Sequence, residues 1–169
     1  MRKMTIFLVC VMLMVLSLGF FRSNVRSIEK NQEAIIVDKC SEIHESLKEI
    51  QKNDAKVRVF LGGKYETILN SYMVPLNVRL VENNLSNSGL IEVQNSFAET
   101  RVVFSNDYVN YQQSLENLAS IDCKTEPKKF YDELVIVRKK RMTMEQDVLK
   151  MRSLITKFIK LVTELKGKI

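Results

Sequence analysis

The chain has 169 residues, and its 26 lysines and arginines outnumber its 20 aspartates and glutamates, giving a formal net charge of +6. This length suits a single domain. Only five glycines, two prolines and one histidine are present. So few turn-forming residues argue against a fold of many short strands. A single imidazole excludes sites that need several histidines.

The N-terminal segment of residues 4–21 carries no charge, whereas Arg2 and Lys3 precede it and Arg22 follows it. A run of about 18 mostly apolar residues is near the lower limit for a membrane-spanning helix. It is also longer than many signal-peptide cores. The segment therefore predicts that the chain enters the secretory pathway.

We expect residues 1–23 to be a signal peptide or a signal anchor and residues 24–169 to form one helical domain. The full apolar length favours a retained anchor, which would tether the domain to the cell membrane. Ser17 and Gly19 are small residues at the positions that signal peptidase reads, so cleavage after Gly19 and secretion is the alternative.

The first helical stretch is predicted from about Asn24 to Leu61. Its apolar residues alternate spacings of four and three, which defines a heptad seam with Asp54 as the one polar member. The seam consists of Ile36, Cys40, Ile43, Leu47, Ile50, Asp54, Val57 and Leu61. Gly62 and Gly63 follow, and they predict a bend or a break.

A second stretch, from about Lys64 to Glu82, contains Pro75, which removes a backbone donor and predicts a kink. Residues 83–89 are rich in asparagine, serine and glycine and predict a loop. We call this loop the tip, and Asn83, Asn84 and Asn87 are its candidate contacts for a partner.

A third helix is predicted from about Leu90 to Ile121. The last helix begins near Pro127, which suits a first helical turn. Its apolar seam continues for nearly forty residues, which corresponds to a rod of roughly 55 to 60 Å.

These stretches predict an all-α fold. The simplest architecture is an elongated antiparallel bundle of three long helices, in which the first is kinked or broken near residues 62–75. Residues 24–39 would be a stalk leading from the membrane. A more compact four-helix form, folded sharply at the glycine pair, is the alternative.

Two cysteines, Cys40 and Cys123, lie in the exported part, and an even number there suggests a disulfide. If the tip is a hairpin turn, Cys40 lies 42 residues before Glu82 and Cys123 lies 33 residues after Leu90. The difference of nine residues is about 13 Å of helix rise. A kink could absorb it, so we expect both cysteines at the membrane-proximal end and joined by a disulfide.

The only histidine, His44, has Glu42 and Glu45 as neighbours, and this set lacks the three or four converging ligands of a metal site. A cysteine or serine nucleophile would need an imidazole base, and no second histidine is available. We therefore expect no catalytic, cofactor-binding or metal-binding residues.

The last helix is basic: residues 128–168 contain twelve lysines or arginines and five acidic residues. We expect Arg138, Lys139 and Lys140 to form a surface for an anionic partner, which could be lipid head groups, a polymer or an envelope protein. Export argues against nucleic acid. Arg141 takes a seam position, as Asp54 does, and a pairing between them would set the helix register.

Four short segments carry a resemblance to known proteins. They are residues 64–69 (KYETIL), residues 75–80 (PLNVRL), Asp107 with Tyr108, and residues 122–124 (DCK). This pattern resembles a group of uncharacterised bacterial proteins with an N-terminal anchor and a helical extracytoplasmic part. The resemblance implies that architecture and no activity.

The sequence predicts a non-enzymatic scaffold or surface interaction protein of the cell envelope, tethered through residues 4–21. A cleaved, soluble binding protein or chaperone is the alternative. Outward-facing seam residues would also allow a homo-oligomer.

Overall fold

The computed structural model describes residues 30–85 and 87–167. The predicted membrane segment 4–21, the cleavage position at Gly19 and the first part of the stalk lie outside these residues. The described chain is all-α, as predicted. Its elements are α1 (Lys30–Asp38), α2 (Cys40–Thr67), a π-helical segment (Ile68–Met73), α3 (Val74–Glu82), α4 (Ser88–Ser120) and α5 (Pro127–Lys166). Among these helices, none is both long enough and apolar enough to cross a membrane.

The expected break at Gly62 and Gly63 is wrong, because α2 continues through both residues to Thr67. No glycine of the described chain has a positive φ, and a Cβ at either position would meet nothing within 4 Å. The helix tolerates the entropic cost of two glycines because Leu61 and Tyr65, on either side of them, pack in the same core. The compact form folded at the glycines is therefore wrong as well.

The chain instead breaks at Lys39, within the stretch that we expected to be one continuous helix. Lys39 forms a turn between α1 and α2. Ile36 and Cys40, on the two sides of this turn, are both buried. The break allows α1 to pack against α5 while α2 packs against α4.

The kink expected at Pro75 is present as the π-helical segment that ends two residues before it. Pro75 is the second residue of α3, where a missing N–H is tolerated. The wider π turn buries both Leu69 and Met73 and leaves Tyr72 exposed. The first long helical segment is thus kinked at this point.

Contacts between the first long segment and α4 show an antiparallel arrangement. Near the tip, Asn77 Nδ2 donates to the carbonyl oxygen of Leu90 at 3.2 Å. At the other end, Cys40 is bonded to Cys123. Cys40 lies 37 residues before Asn77, and Cys123 lies 33 residues after Leu90. The extended backbone that begins at Ile121 accommodates the remaining difference.

Two cores fill the bundle, one towards each end. The disulfide-end core consists of Ile36, Cys40, Leu47, Tyr108, Tyr111, Leu115, Leu118, Ile121, Cys123, Phe130 and Val137. The tip-end core consists of Tyr65, Leu69, Met73, Leu80, Leu90, Val93, Phe97, Phe104, Met151 and Phe158. Helices α4 and α5 pack against each other along their length and contribute to both cores.

Candidate functional site

The disulfide between Cys40 and Cys123 is confirmed, with the two Cα atoms 5.6 Å apart. Cys40 is the first residue of α2, and Cys123 lies in the connection between α4 and α5. Cys123 is fully buried. The bond therefore joins the start of the bundle to the connection that leads into its longest helix.

His44 lies one helical turn after Cys40, and its ring meets the edge of the Phe130 ring at a centroid distance of 6.3 Å. The potential ligand atoms of Cys40, His44 and Cys123 lie within 4.8 Å of one another. The two sulfurs are bonded to each other, so neither is a thiolate, the form that binds metal. The absence of a metal site stays a prediction.

The predicted pairing of Asp54 with Arg141 is confirmed, with 3.4 Å between an Arg141 guanidinium nitrogen and a carboxylate oxygen. The Tyr111 hydroxyl donates to the other carboxylate oxygen at 2.6 Å. Burial raises the pKa of Tyr111, and the hydrogen bond to Asp54 raises that pKa further. Three helices, α2, α4 and α5, are thus connected by one polar network at the centre of the bundle.

The predicted basic surface contains both exposed residues and a residue that is hydrogen-bonded within the bundle. Arg138 and Lys139 are exposed. Lys140 instead reaches across to α4, where its ammonium donates to the Ser114 hydroxyl at 2.5 Å and to the Asn110 carbonyl at 3.2 Å. Arg138 and Lys139 are therefore the residues of this surface that are directed to solvent, whereas Lys140 contributes to helix packing.

The asparagines of the tip hold its backbone. Asn84 has a φ of 58°, and its N–H and that of Leu85 donate to the carbonyls of Val81 and Leu80. This pattern is the Schellman ending of a helix. Asn83 Nδ2 caps the Arg79 carbonyl at 2.7 Å.

Asn87 begins α4 on the other side of the tip. Its side-chain oxygen accepts hydrogen bonds from the N–H groups of Gly89 and Leu90. This is the usual role of an asparagine at a helix N-cap. The tip asparagines therefore have structural roles, and their role in partner binding stays a prediction.

Two apolar grooves separate α5 from the first long segment, and sequence reasoning missed both. The first has a volume of about 370 Å³ and lies beside the Asp54 network. Val57, predicted as a seam residue, lines this groove and is 52% exposed. The second has a volume of about 530 Å³ and is bordered by Tyr72, Pro75 and Phe158. Heptad spacing shows which face of a helix is apolar but not how closely two helices approach.

Protein-family models, curated protein sequences and solved structures gave no match to the chain.

Proposed function

We propose that this protein is a non-enzymatic, membrane-tethered helical scaffold or surface interaction protein of the cell envelope, with residues 24–169 outside the cytoplasm. The disulfide between Cys40 and Cys123 is the observation that carries the proposal, because disulfides persist in oxidising compartments. The uncharged segment 4–21 supplies the tether.

The environments of Cys40, Cys123, His44 and Asp54 support a non-enzymatic role. Both cysteines of the bundle are oxidised, and the single histidine lies against Phe130. Asp54, the carboxylate at the centre of the bundle, is engaged with Tyr111 and Arg141. A carboxylate with both oxygens engaged, as in Asp54, fixes helix register rather than holds a reacting proton.

The experiment that tests this proposal follows the full-length chain in cells with a C-terminal epitope tag. We expect the protein to stay in the membrane fraction after carbonate extraction and to be accessible to protease added outside the cell. Mass spectrometry without reduction should detect the disulfide between Cys40 and Cys123. A Leu13→Arg variant should lose membrane retention, because a charge at the centre of an apolar span costs about 3 kcal/mol. A cytoplasmic location or two free thiols would contradict the proposal.

The exposed pair Arg138 and Lys139 is the surface that we assign to an anionic partner, either lipid head groups, an envelope polymer or an envelope protein. Reversing both charges to glutamate should weaken binding to anionic vesicles roughly tenfold or more, since each basic residue near such a surface contributes about 1 kcal/mol. The matched control reverses Lys52 and Lys56, which are exposed on α2. An equal loss of vesicle binding in both variants would contradict the assignment of the binding surface to Arg138 and Lys139 on α5.

A second candidate is a cleaved, soluble binding protein or chaperone, and the two apolar grooves favour it. Cleavage after Gly19 would give a mature N-terminus at Phe20. N-terminal sequencing of the exported protein distinguishes the two candidates. An intact segment 4–21 on the mature chain would exclude the soluble form.

A further inference from the structure

An exposed apolar stripe runs along α5 on a face that the bundle leaves open. Val135, Met142 and Leu149 are 47%, 63% and 53% exposed. They are seven residues apart, and seven residues return a helix to nearly the same direction, with a drift of about 20°. The three side chains therefore lie in a line of roughly 21 Å at 1.5 Å per residue.

Charged residues flank this stripe asymmetrically. At about 100° per residue, Arg138 and Glu145 lie roughly 40° to 60° to one side of Met142, and Lys139 lies about 60° to the other. All three side chains are exposed. Within the described chain, none of the three forms an ion pair. Within about 60° of Met142, the stripe thus has one flank with both charge signs and one flank with a lysine, and the exposed Asp132 and Lys150 lie further out on the lysine flank, at about 80°.

This asymmetry distinguishes the two ways in which the stripe could meet a second copy of itself. A parallel pair brings opposite flanks together, so Arg138 would lie beside the partner subunit's Lys139, and like charges repel. An antiparallel pair with its two-fold axis at Met142 brings like flanks together. Arg138 then lies within about one residue rise of the partner subunit's Glu145.

We propose that this face binds a second copy of the chain as an antiparallel dimer centred on Met142. Val135 would pack against the partner's Leu149, and the Arg138 and Glu145 pair would form twice, as an isologous interface requires. Leu149 and Glu145 also line the 370 Å³ groove, so the partner helix would extend the apolar surface there. This inference rests on the proposed function and names one partner for it; in the dimer, Arg138 would pair with Glu145 of the partner subunit, and Lys139 would stay open to an anionic partner.

The interface is short, so we expect a dissociation constant of about micromolar size. Analytical ultracentrifugation of the full-length chain in detergent, from about 1 to 100 μM, measures the monomer–dimer equilibrium. Met142→Glu should weaken the dimer about tenfold or more, because two buried charges would then face each other at the axis. The matched control is Val109→Glu, at a position 56% exposed on α4, and it should change the constant less than twofold.

Charge exchange tests the pairing itself. Arg138→Glu and Glu145→Arg should each weaken the dimer about fivefold, and the double variant should return it to the wild-type constant. The single variants remain folded if their circular dichroism and melting temperature match those of the wild type. Failure of the double variant to recover would overturn the pairing.

Disulfide trapping tests the orientation. In a Cys10→Ser background, one chain carries Val135→Cys and a differently tagged chain carries Leu149→Cys. The antiparallel arrangement predicts cross-links between the two kinds of chain and few within each kind. Cross-links mainly between two Val135→Cys chains would show a parallel pair and overturn the proposal.

A monomer at every concentration would overturn the dimer while leaving the membrane location untouched. Conversely, a dimer found in the cytoplasm would contradict the proposed function and not this inference. The two failures are therefore distinguishable.

Discussion

The two cores of this bundle are held by different physical means. At the disulfide end, a covalent bond joins Cys40 to Cys123, and between this end and the centre of the bundle the network of Asp54, Tyr111 and Arg141 fixes the helix register. At the tip end, Tyr65 meets Phe97 and Phe104 edge-on, with ring centroids 6.0 and 6.2 Å apart. The tip-end core is stabilised by packing, by helix capping and by the hydrogen bonds that Asn77 donates to Leu90 and Gln94.

This difference suggests a division of stability along the bundle. The disulfide acts mainly by reducing the freedom of the unfolded chain, whereas the aromatic packing acts in the folded state. The kinked π-helical segment lies wholly within the tip half, where Leu69 and Met73 bury its apolar side. We expect the tip half to open first in the wild-type protein.

The largest expected effect is the loss of the disulfide. Replacing Cys40 and Cys123 by alanine should lower the free energy of unfolding by about 4.5 kcal/mol in the chain-entropy account, because the bond closes a loop of more than eighty residues. Urea unfolding measures this change, and Cys10→Ser is the control. Hydrogen exchange should then show the disulfide end opening first. If the tip half still exchanged first in this variant, the proposed division of stability between the two halves of the bundle would be contradicted.

A comparable effect is expected from Phe97→Ala in the tip-end core. Phe97 is fully buried, so truncation should cost about 3 to 5 kcal/mol through lost burial and a cavity. Val102→Ala, at an exposed position on the same helix, should cost about 0.5 kcal/mol or less. Exchange should accelerate near Leu90 and Phe158 while the disulfide end stays protected. Uniform acceleration would show that the two cores unfold as one unit.

A smaller effect is expected from Tyr111→Phe, which removes the hydrogen bond to Asp54 and should cost about 1.5 kcal/mol near neutral pH. The pKa of Tyr111 is raised in the folded state, so its contribution is complete below the unfolded pKa of about 10 and is lost progressively as the pH rises from there towards the raised pKa of the folded state. The difference between wild type and variant should therefore shrink at high pH. Tyr72→Phe, at an exposed tyrosine, is the control, and a pH-independent difference would contradict the assignment.

The smallest effect has the opposite sign. Gly62→Ala should stabilise the protein by about 0.5 to 1 kcal/mol, because the site is helical and a Cβ there meets no neighbour. Ala55→Gly, at an exposed position on the same helix, should destabilise it by a similar amount. Thermal unfolding measures both. A destabilising Gly62→Ala would show that the join between the two cores needs backbone freedom.

Heptad spacing predicted the helices and placed Asp54 and Arg141 at seam positions, whereas the disulfide was predicted from the even cysteine count and the hairpin register. The breaks were harder to predict. Gly62 and Gly63 have low helix propensity, yet core residues on both sides keep the helix continuous. Lys39 has no unusual propensity, and the break there comes from the packing of α1 against α5.

The candidate basic surface was predicted only in part, because its side-chain contacts also depend on how the helices pack. Composition identified the basic residues, and Arg138 and Lys139 are indeed exposed. That Lys140 reaches Ser114 depends on the separation of α4 and α5, which sequence spacing does not give. The same limit explains why Val57 was assigned to a seam and lines a groove instead.

The disulfide lies directly after the turn at Lys39, where the short helix α1 leads into α2. A pulling force at the N-terminus would first load the packing of α1 against α5, and it would then pass from Cys40 through the disulfide to Cys123 and into α5. The intervening chain would be shielded from the load. At roughly 3.5 Å per extended residue, the bond withholds nearly 290 Å of contour length from stretching. A tethered bundle of this design would resist being drawn out from its anchor by shear or by the movement of a bound partner.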